Sequence, residues 1–543
     1  MYQDGKLWIA RSVNGEKICI EPRKANRHGL IAGATGTGKT ITLKVMAESF
    51  SDMGVPVFLA DIKGDLAGMV APGKDSEDMQ SRIARFGIEG WKYQSYPTRF
   101  WDVYGENGHP VRTTVSDMGP LLMSRVLGLN ETQTGVLNIA YRVADENGLL
   151  LLDLKDLKAM LRLISEQARA LSLEYGNIAP QSVSAIIRSL VSLEDQGGDM
   201  FFGEPAFDVR DWMQNAFDGR GWINILHCVK LFQNPALYST FLLWMLSELY
   251  ETLPEAGDLS KPKIVFFFDE AHLLFDDAPK ALLQKIELIV RLVRSKGVGV
   301  YFITQSPTDL PGDILAQLGN RVQHALRAYT PAEQKKVKAA AETFRPNPEF
   351  RTLDAIMELG TGEALVSFLG DDGSPTPVER SFILPPQSRM GGISDEERAQ
   401  ALRNDGIGDR YDTPVDRESA YEILAARAEE TEAEQAREAA EKQAAKEAAA
   451  AEKAAQREAA AAQREADRKK QKTLSTAQRI TSSAAKSATT SVISSTIRRS
   501  TSKKLGVGQR AVNSAFNSIV GNVGREISGS IVRGIFGTFT KRK

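Results

Sequence analysis

The chain has 543 residues, of which 42% are hydrophobic and 7% aromatic. It is several times longer than a typical domain, so two or more units are expected, and its composition excludes disorder throughout. Two cysteines, Cys19 and Cys228, are too few for a disulfide framework or a four-thiolate zinc site, which favours a reducing cytoplasm.

Charge divides the chain into an acidic body and a basic tail. Residues 468–543 contain 16 Lys and Arg against a single acid, Glu526, so nearly all of the 69 Asp and Glu lie in the body. No signal-peptide pattern opens the chain, and its apolar runs are far below the roughly 20 residues that cross a bilayer. We therefore expect a cytoplasmic protein and leave peripheral attachment to the inner membrane open.

The first elements predict a strand, loop, helix, strand unit. Apolar and polar residues alternate around Asn14-Gly15, a dipeptide suited to a type I′ turn, so a β-hairpin leads the chain. A strand over 30–32, a Gly-rich loop, a helix from residue 39 to about residue 50 and a strand over 57–61 follow. This order implies a parallel sheet with helices on its faces.

In the middle of the chain the spacing of apolar residues changes to that of helices. Between residues 66 and 221 apolar residues recur every three or four positions, which predicts a helical insertion. Strand patterns return at 223–226, 264–269, 298–304, 322–327 and 364–369. We therefore predict one α/β domain, formed by residues 1–65 and 222–392 and interrupted by the insertion over 66–221.

The C-terminal third has a different composition. Alanine makes up 20 of the 42 residues from 425 to 466, and no Leu, Ile or Val occurs from 425 through 472. Alanine favours helix, but a strong coiled-coil seam needs larger residues, so we predict a linker and a long solvated helix over 393–472. Residues 473–543 form a basic tail rich in Ser, Thr and Gly. Its apolar residues from 505 onward predict either disorder or an amphipathic segment on anionic lipid.

The clearest chemical motif fits the pattern G-x-x-x-x-G-K-[ST] and lies between a predicted strand and a predicted helix. In that context backbone N–H groups and a helix N-terminus hold phosphate, the lysine contacts the β and γ phosphates, and the Thr hydroxyl binds Mg²⁺. The motif predicts ATP and Mg²⁺ as cofactors. Its candidate binding residues are Gly33, Thr35, Gly36, Thr37, Gly38, Lys39 and Thr40, the last also a metal ligand.

Two later strands end in polar residues. The apolar run 264–268 is followed by Asp269 and Glu270. Since ligands bind at the carboxyl ends of parallel strands, Asp269 is a candidate Mg²⁺ ligand and Glu270 a candidate base for the attacking water. The alternative is an ordinary strand end followed by an acidic helix cap. Gln305, after the strand over 298–304, is a candidate sensor of the γ phosphate, although glutamine at such a position is often a loop residue.

The order of these motifs identifies a family resemblance. The segments HGLIAGATGTGKT, VFLADIKGDL, IVFFFDEAH, VRSKGVGVYFITQSP and LGNRVQHALR resemble the HerA and FtsK division of RecA-like motor ATPases. The phrases NGHPVRTTVSDMGPLL and FFGEP are similar to the bacterial HerA-helicase-like family typified by YjgR. The resemblance covers about residues 5–400.

The resemblance implies a RecA-like P-loop fold, ATP hydrolysis and assembly into a homo-oligomeric, hexameric ring with ATP at subunit boundaries. By motif position it implies that Arg294 acts on the ATP of a neighbouring subunit, with Arg27 a weaker candidate for a second such arginine. An Arg-x-x-Arg pair on a helix is otherwise commonly a solvated face. The D-x-K-G segment at Asp61, Lys63 and Asp65 is expected near the nucleotide, or is simply a turn.

Two functions are compatible with this resemblance. The first is an ATP-driven nucleic-acid translocase, helicase-like, with DNA as partner and a nuclease or other protein as a further partner. The alternative is an ATPase that acts on protein cargo or at an anionic membrane surface through residues 505–543. The short N-terminal hairpin and the large insertion both differ from HerA, so the DNA-contacting parts of that family are not carried over.

Overall fold

The computed structural model describes residues 1–88, 91–257, 259–276, 278 and 280–481. Within them, residues 1–424 form one compact unit and residues 425–481 belong to a second. The tail predicted over 473–543 lies outside the described residues from position 482 onward, so its amphipathic or disordered character stays a prediction. The domain boundaries within residues 1–424 also stay predictions.

Thirteen strands of the described residues join one sheet. The strands are β1 (Tyr2–Gln3), β2 (Lys6–Ser12), β3 (Lys17–Ile20), β4 (Gly29–Ala32), β5 (Val57–Asp61), β6 (Thr98–Asp102), β7 (His109–Pro110), β8 (Ile223–His227), β9 (Ile264–Phe268), β10 (Val298–Thr304), β11 (Asn320–Gln323), β12 (Glu363–Ser367) and β13 (Glu379–Ile383). Their order is β1-β2-β13-β12-β11-β4-β10-β9-β5-β8-β6-β7, with β3 paired to β2. From β11 to β7 every pairing is parallel, which confirms the predicted parallel-rich α/β fold.

Helices cover both faces of this sheet. The α-helices of the described residues are α1 (Lys39–Asp52), α2 (Glu77–Phe86), α3 (Val115–Val126), α4 (Glu131–Glu146), α5 (Leu154–Glu166), α6 (Ala168–Tyr175), α7 (Pro180–Asp195), α8 (Gly198–Phe201), α9 (Pro235–Thr252), α10 (Lys280–Val293), α11 (Gly312–Leu315), α12 (Pro331–Glu342), α13 (Thr352–Glu358), α14 (Asp395–Asn404) and, in the second unit from residue 425 onward, α15 (Ala420–Thr481). Helix α3 bends at Gly119, whose backbone is not helical.

The central strands are apolar throughout because both of their faces are buried. In β9, Phe266 and Phe268 pack into a core shared with the insertion helices, α9 and α10. Val265 and Phe267 point the other way, into a core shared with α1 and the N-terminal hairpin. Successive strand residues alternate between faces, so a strand between two helical layers needs an unbroken apolar run.

The insertion is helical where the period of the sequence predicted helices, but it is not helical throughout. Helices α4, α5 and α7 bury most of the apolar residues that recur at that period. The predicted helical insertion over 66–221 also contains β6 and β7, which were not predicted and which extend the sheet beside β8. Strand β6 is short and contains Arg99 and Asp102, both buried, so it lacks the apolar run that marks the central strands.

Two strand predictions near the C-terminal part of the sheet also need correction. The strand expected over 322–327 is β11, which begins and ends earlier because it pairs with β4 only as far as Gln323 opposite Ala32. Strand β13 was not predicted. It pairs antiparallel with both β12 and β2 and so brings the N-terminal hairpin into the sheet.

Helix α15 confirms the predicted long helix, and from residue 425 through 472 its side chains are exposed. Ion pairs at i, i+4 spacing line it, as between Glu438 and Lys442 at 2.9 Å and between Glu465 and Lys469 at 3.5 Å. Such pairs stabilise an exposed helix only slightly each, so alanine supplies most of its helical preference. In the part of the chain described here, no helix combines the length and apolar character of a membrane span.

A buried histidine joins three elements at the beginning of β4. The Nε2–H of His28 donates to the carbonyl of Val290 in α10 at 2.7 Å, and its Nδ1 accepts from the N–H of Val300 in β10 at 3.0 Å. Burial, with a smaller contribution from the nearby charges of Arg294 and Arg27, lowers the pKa of His28 to about 4. A proton on Nδ1 would remove the acceptor that Val300 needs, so the neutral ring belongs to the folded state.

We expect the effect of His28→Asn on stability to depend on pH. The pKa of His28 is lower in the folded chain than the ordinary value of 6.5, so the unfolded chain binds more protons between pH 6.5 and 4 and the wild type loses stability as pH falls. This loss approaches ~3 kcal/mol at pH 4 and is absent from the variant, which has no ring to titrate. Urea unfolding at pH 7.5, 5.5 and 4.5 should show the destabilisation by His28→Asn shrinking with acidity. A difference independent of pH would contradict the assignment.

Candidate active site

The loop between β4 and α1 has the geometry of a phosphate-binding loop. Gly36 and Gly38 have φ angles of 78° and 118°, which residues with a Cβ rarely adopt. Gly38 precedes α1 directly, and no side chain caps the first turn of this 14-residue helix. The N–H groups of that turn and the positive end of the helix therefore face the loop, where an anion binds.

Lys39 lies against this loop. Its Nζ donates to the carbonyl of Gly33 at 2.6 Å and to that of Ala34 at 3.3 Å. Burial lowers the pKa of Lys39, and the negative charges of Asp269 and Glu270 oppose that effect. The lysine and the two carboxylates are thus electrostatic neighbours, as the motifs predicted. Thr40 is the second residue of α1, and Thr37 donates its hydroxyl to the Ala34 carbonyl at 2.7 Å.

Hydrogen bonds to the backbone fix the position of Asp269 and Glu270 at the end of β9. The hydroxyl of Tyr238, buried in α9, donates to the carbonyl oxygen of Asp269 at 2.8 Å. The carboxylate of Asp269 accepts the N–H of Glu270 at 2.9 Å. Burial, and then the adjacent charge of Glu270, raises the pKa of Asp269 to about 6. A nearby divalent cation would stabilise the ionised form, so this buried carboxylate suits a metal ligand.

Glu270 combines an unusual backbone with an unpaired oxygen. Its φ of 47° lies in the left-handed region, where residues other than glycine are rare. Among the described residues its buried Oε2 has no hydrogen-bond partner, and the nearest cationic candidate, Nδ1 of His272, is 3.4 Å away. A buried carboxylate oxygen without a partner is suited to accept a proton from water or to approach a hydrated metal ion. Asp269, Glu270 and Thr40 together therefore fit Mg²⁺ and its water.

Gln305 is placed beside the loop by the sheet. Strand β10 lies between β4 and β9, with Thr304 opposite Ala32 and Phe302 opposite Phe268. The N–H of Gly33 also donates to the carbonyl of Thr304 at 3.3 Å, so the next residue, Gln305, leaves the sheet next to the loop. Its side chain is exposed. The phosphate-binding loop, Gln305 and the carboxylates of Asp269 and Glu270 therefore lie at the same edge of the sheet.

The segment after β5 contains the predicted D-x-K-G turn. The carboxylate of Asp61 accepts the N–H groups of Gly64, Asp65 and Leu66 at 2.8, 3.1 and 3.1 Å. Asp61 thus shapes the turn, as the alternative interpretation proposed, and burial raises its pKa to about 6. Lys63 is close enough for its charge to affect Asp269 and Lys39. Lys63 is therefore the residue of this segment whose charge acts on the candidate site.

The arginines lie at the opposite edge of the sheet. A cleft of about 550 Å³ is lined by Arg27, Arg291, Arg294 and Arg321, and none of its lining residues in the described part of the chain is acidic. Arg321 donates to the carbonyls of Leu315 and Leu318, both at 2.8 Å, and to that of Thr343, so its guanidinium supports the wall of the cleft. The structure thus brings the two arginines implied by the family resemblance, Arg294 and Arg27, together with Arg291 and Arg321.

The sequence motifs also miss His324. This histidine follows β11, its side chain lies under the phosphate-binding loop, and it is fully buried. His324 lies in the segment LGNRVQHALR that carries the family resemblance, as part of a polar pair, Gln323-His324, inside a predicted strand, but no role was assigned to it. Polar residues at the carboxyl end of a strand adjacent to the loop are candidates for the same site.

These features define a P-loop nucleoside triphosphatase in which an additional strand separates the loop strand from the carboxylate strand. Comparison with known families agrees with this class. The chain belongs to the helicase HerA-like C-terminal family, which it matches over residues 7–510.

Individual relatives match over shorter stretches. A probable helicase of Methanocaldococcus jannaschii is 29% identical over an alignment of 154 residues that covers 26% of this chain and 28% of that protein. The DNA double-strand break repair helicase HerA of Sulfolobus acidocaldarius is 26% identical over 149 residues, 27% of this chain and 29% of the relative. The matches thus span less than a third of either relative.

Solved structures show a weaker likeness. The plasmid coupling protein TrwB in complex with ADP and Mg²⁺ is 16% identical, with 71% of this chain and 90% of that chain covered and a TM-score of 0.45. VirB4 of Thermoanaerobacter pseudethanolicus is 14% identical, with 73% and 98% covered and a TM-score of 0.44. Similarity at this level transfers neither activity nor assembly to this chain.

Two substitutions should separate binding from hydrolysis. Lys39→Ala removes a contact to the phosphates and should weaken ATP binding by at least about tenfold. Glu270→Gln keeps the shape of the side chain but removes the base, so ATP binding should stay close to wild type while turnover falls by about 10²-fold or more. A fluorescent nucleotide titration and a phosphate-release assay measure the two effects. Turnover at the wild-type rate in Glu270→Gln would contradict the role of this carboxylate.

Proposed function

We propose that the protein is a Mg²⁺-dependent ATPase that works as a ring-forming nucleic-acid motor. The loop glycines, Lys39 and the first turn of α1 bind the phosphates, and Thr40 and Asp269 hold Mg²⁺. When bound, Mg²⁺ would neutralise negative charge on the phosphates. Glu270 takes the proton of the attacking water through its unpaired Oε2, and Gln305 orients that water or the γ phosphate.

The observation that carries the proposal of a ring is the position of the arginine cleft. Strand β10 has seven residues, so about 20 Å of extended chain separates its beginning, near Arg294, from its end, next to Gln305. An arginine at the first edge is too far from the ATP at the second edge of the same subunit. Head-to-tail packing of subunits would bring that cleft to the ATP of a neighbour and would close as a ring, which we propose is hexameric.

A cationic group is needed there because negative charge develops on the γ phosphate during transfer. Arg294 is exposed and precedes β10, and Arg27 and Arg291 line the same cleft. Arg321 is engaged by three backbone carbonyls and is therefore not the arginine that acts in trans. The role of Arg294 rests on this placement and on the family resemblance.

Nucleic acid is the proposed substrate because the chain belongs to a helicase-like family and two relatives are named as helicases. Acidic residues outnumber basic ones in residues 1–467, so we expect this part of the chain to contact nucleic-acid phosphates only at a few local sites. Net positive charge lies in the tail from residue 468 onward, which has 16 Lys and Arg and one acidic residue. A nuclease or another protein as partner is part of this proposal.

Mixing two inactive variants tests whether the site is shared between subunits. Arg294→Ala and Glu270→Gln should each hydrolyse ATP poorly, but a 1:1 mixture of exchanging subunits should recover activity. About a quarter of random interfaces then combine an intact Glu270 with an intact Arg294. Mixing Arg294→Ala with the double variant Arg294→Ala/Glu270→Gln is the control, since no interface in that mixture is complete. Normal hydrolysis by Arg294→Ala alone would assign the role to Arg27 or Arg291.

The nature of the substrate is tested by stimulation of hydrolysis. We expect double-stranded DNA to raise the ATPase rate several-fold, and the effect to weaken steeply between 50 and 200 mM salt because phosphate contacts release counterions. Single-stranded DNA and anionic liposomes serve as parallel additions, and Glu270→Gln as the blank. Stimulation by liposomes without stimulation by either DNA would instead favour the membrane alternative.

A further inference from the structure

His324 is buried directly beneath the phosphate-binding loop. Its backbone N–H donates to the carbonyl of Ala32, the last residue of β4, at 2.7 Å, and the next residue accepts the N–H of Ala34 at 2.9 Å. The chain after β11 therefore runs alongside the beginning of the loop. The side chain of His324 turns toward the loop and the first turns of α1, where it is completely shielded from solvent.

Both nitrogens of the ring have partners, and these partners define its tautomer. Nδ1 lies 3.0 Å from the carbonyl oxygen of Glu363, which only accepts, so Nδ1 carries the proton. Nε2 is then an acceptor, and the Thr42 hydroxyl 2.8 Å away must donate to it. Burial is the main reason that the pKa of His324 falls to about 4, and the positive charge of Lys39 also lowers it. The ring is neutral at physiological pH and links α1 to β12.

Two glycines of the phosphate-binding loop, Gly33 and Gly38, lie against the side chain of His324. A Cβ on Gly33 would come within 2.5 Å of the His324 Cβ, and one on Gly38 within 3.3 Å of its Cε1. The first distance is shorter than any real contact, so a side chain at Gly33 would force the loop away from His324. Glycine at these two positions therefore lets the backbone of the loop lie against the side chain of His324.

The partner of Nδ1 is also connected to the loop. Gly362 donates its N–H to the carbonyl of Thr37 at 3.3 Å, next to the carbonyl of Glu363 that receives the histidine proton. The carboxylate of Glu363 is bonded to Arg380 of β13 at 2.9 Å and to the N–H of Gly360 at 3.1 Å. The loop is thus supported by a segment that is itself fixed to the antiparallel arm of the sheet.

We infer that His324 is a positioning residue for nucleotide binding, which holds the phosphate-binding loop and the first turns of α1 in their binding geometry through the Thr42 hydroxyl and the Glu363 carbonyl. The inference rests on the nucleotide site of the proposed function. His324 itself contacts no phosphate, because the loop glycines lie between. Removing the ring or its partner should therefore weaken nucleotide affinity more than it weakens the fold.

The experiment compares two buried histidines of one sheet. His28 and His324 are both buried, both bonded at both nitrogens, and both have pKa values of about 4, but they lie at opposite ends of β4. His324→Asn and His28→Asn should lower the melting temperature by similar amounts. Binding of a fluorescent ADP analogue should weaken by about tenfold in His324→Asn and by less than about twofold in His28→Asn. ADP is the probe because it lacks the γ phosphate that a neighbour's arginine would contact.

Milder changes at Thr42 keep the test independent of folding. Thr42→Val preserves shape but removes the donor to Nε2, and should weaken ADP binding several-fold, whereas Thr42→Ser keeps the hydroxyl and should bind ADP within about twofold of wild type. In the double variant His324→Asn/Thr42→Val the two losses of ADP affinity should not add, because both substitutions remove the hydrogen bond between Thr42 and His324.

The outcomes separate this inference from the proposed function. Failure of the wild-type chain to bind the ADP analogue would overturn the nucleotide site itself. Wild-type binding with equal affinity losses in His28→Asn and His324→Asn would show that His324 acts only on stability. Equal affinity of Thr42→Val and Thr42→Ser would overturn the positioning role even if His324→Asn fails to fold.

Discussion

The parallel register of β4, β10 and β9 is the constraint on which the site depends. Their hydrogen bonds fix Thr304 opposite Ala32 and Phe302 opposite Phe268, so three unrelated stretches of chain end at one edge of the sheet. Neighbouring strands are about 4.8 Å apart, which puts the loop strand and the carboxylate strand about 10 Å apart. That gap accommodates a phosphate chain and a metal ion. A shift of one residue in any of these strands would turn its buried side chains to the wrong face.

The same sheet separates charges of opposite sign. Asp269, whose pKa is raised by burial, and Glu270 lie at the carboxyl edge, and the arginines of the cleft lie at the amino edge. Within one subunit this separation keeps the arginines away from Asp269 and Glu270. An arginine paired with either carboxylate would neutralise its charge and make it less able to hold a metal ion or to accept a proton. In the ring that we propose, the same separation would give neighbouring subunits complementary surfaces, which favour head-to-tail contact over symmetric pairing.

Sequence reasoning succeeded where chemistry is local and failed where it depends on distant contacts. The loop from Gly33 to Thr40 and the pair Asp269-Glu270 are continuous motifs next to apolar strands, so pattern alone locates them. Strand β6 was missed because its pairing with β8 compensates for a mixed composition. His324 was missed for a related reason: its partners Thr42 and Glu363 are far from it in sequence, and no pattern links them.

The left-handed backbone of Glu270 has a consequence for the evolution of this fold under thermal stress. A glutamate at φ 47° strains the chain by about 1–2 kcal/mol relative to a glycine, which adopts that conformation freely. Laboratory selection for heat resistance alone would therefore favour a glycine at this position and eliminate the carboxylate with it. Libraries built to stabilise this enzyme have to fix position 270, because there the demands of folding and of chemistry point to different amino acids.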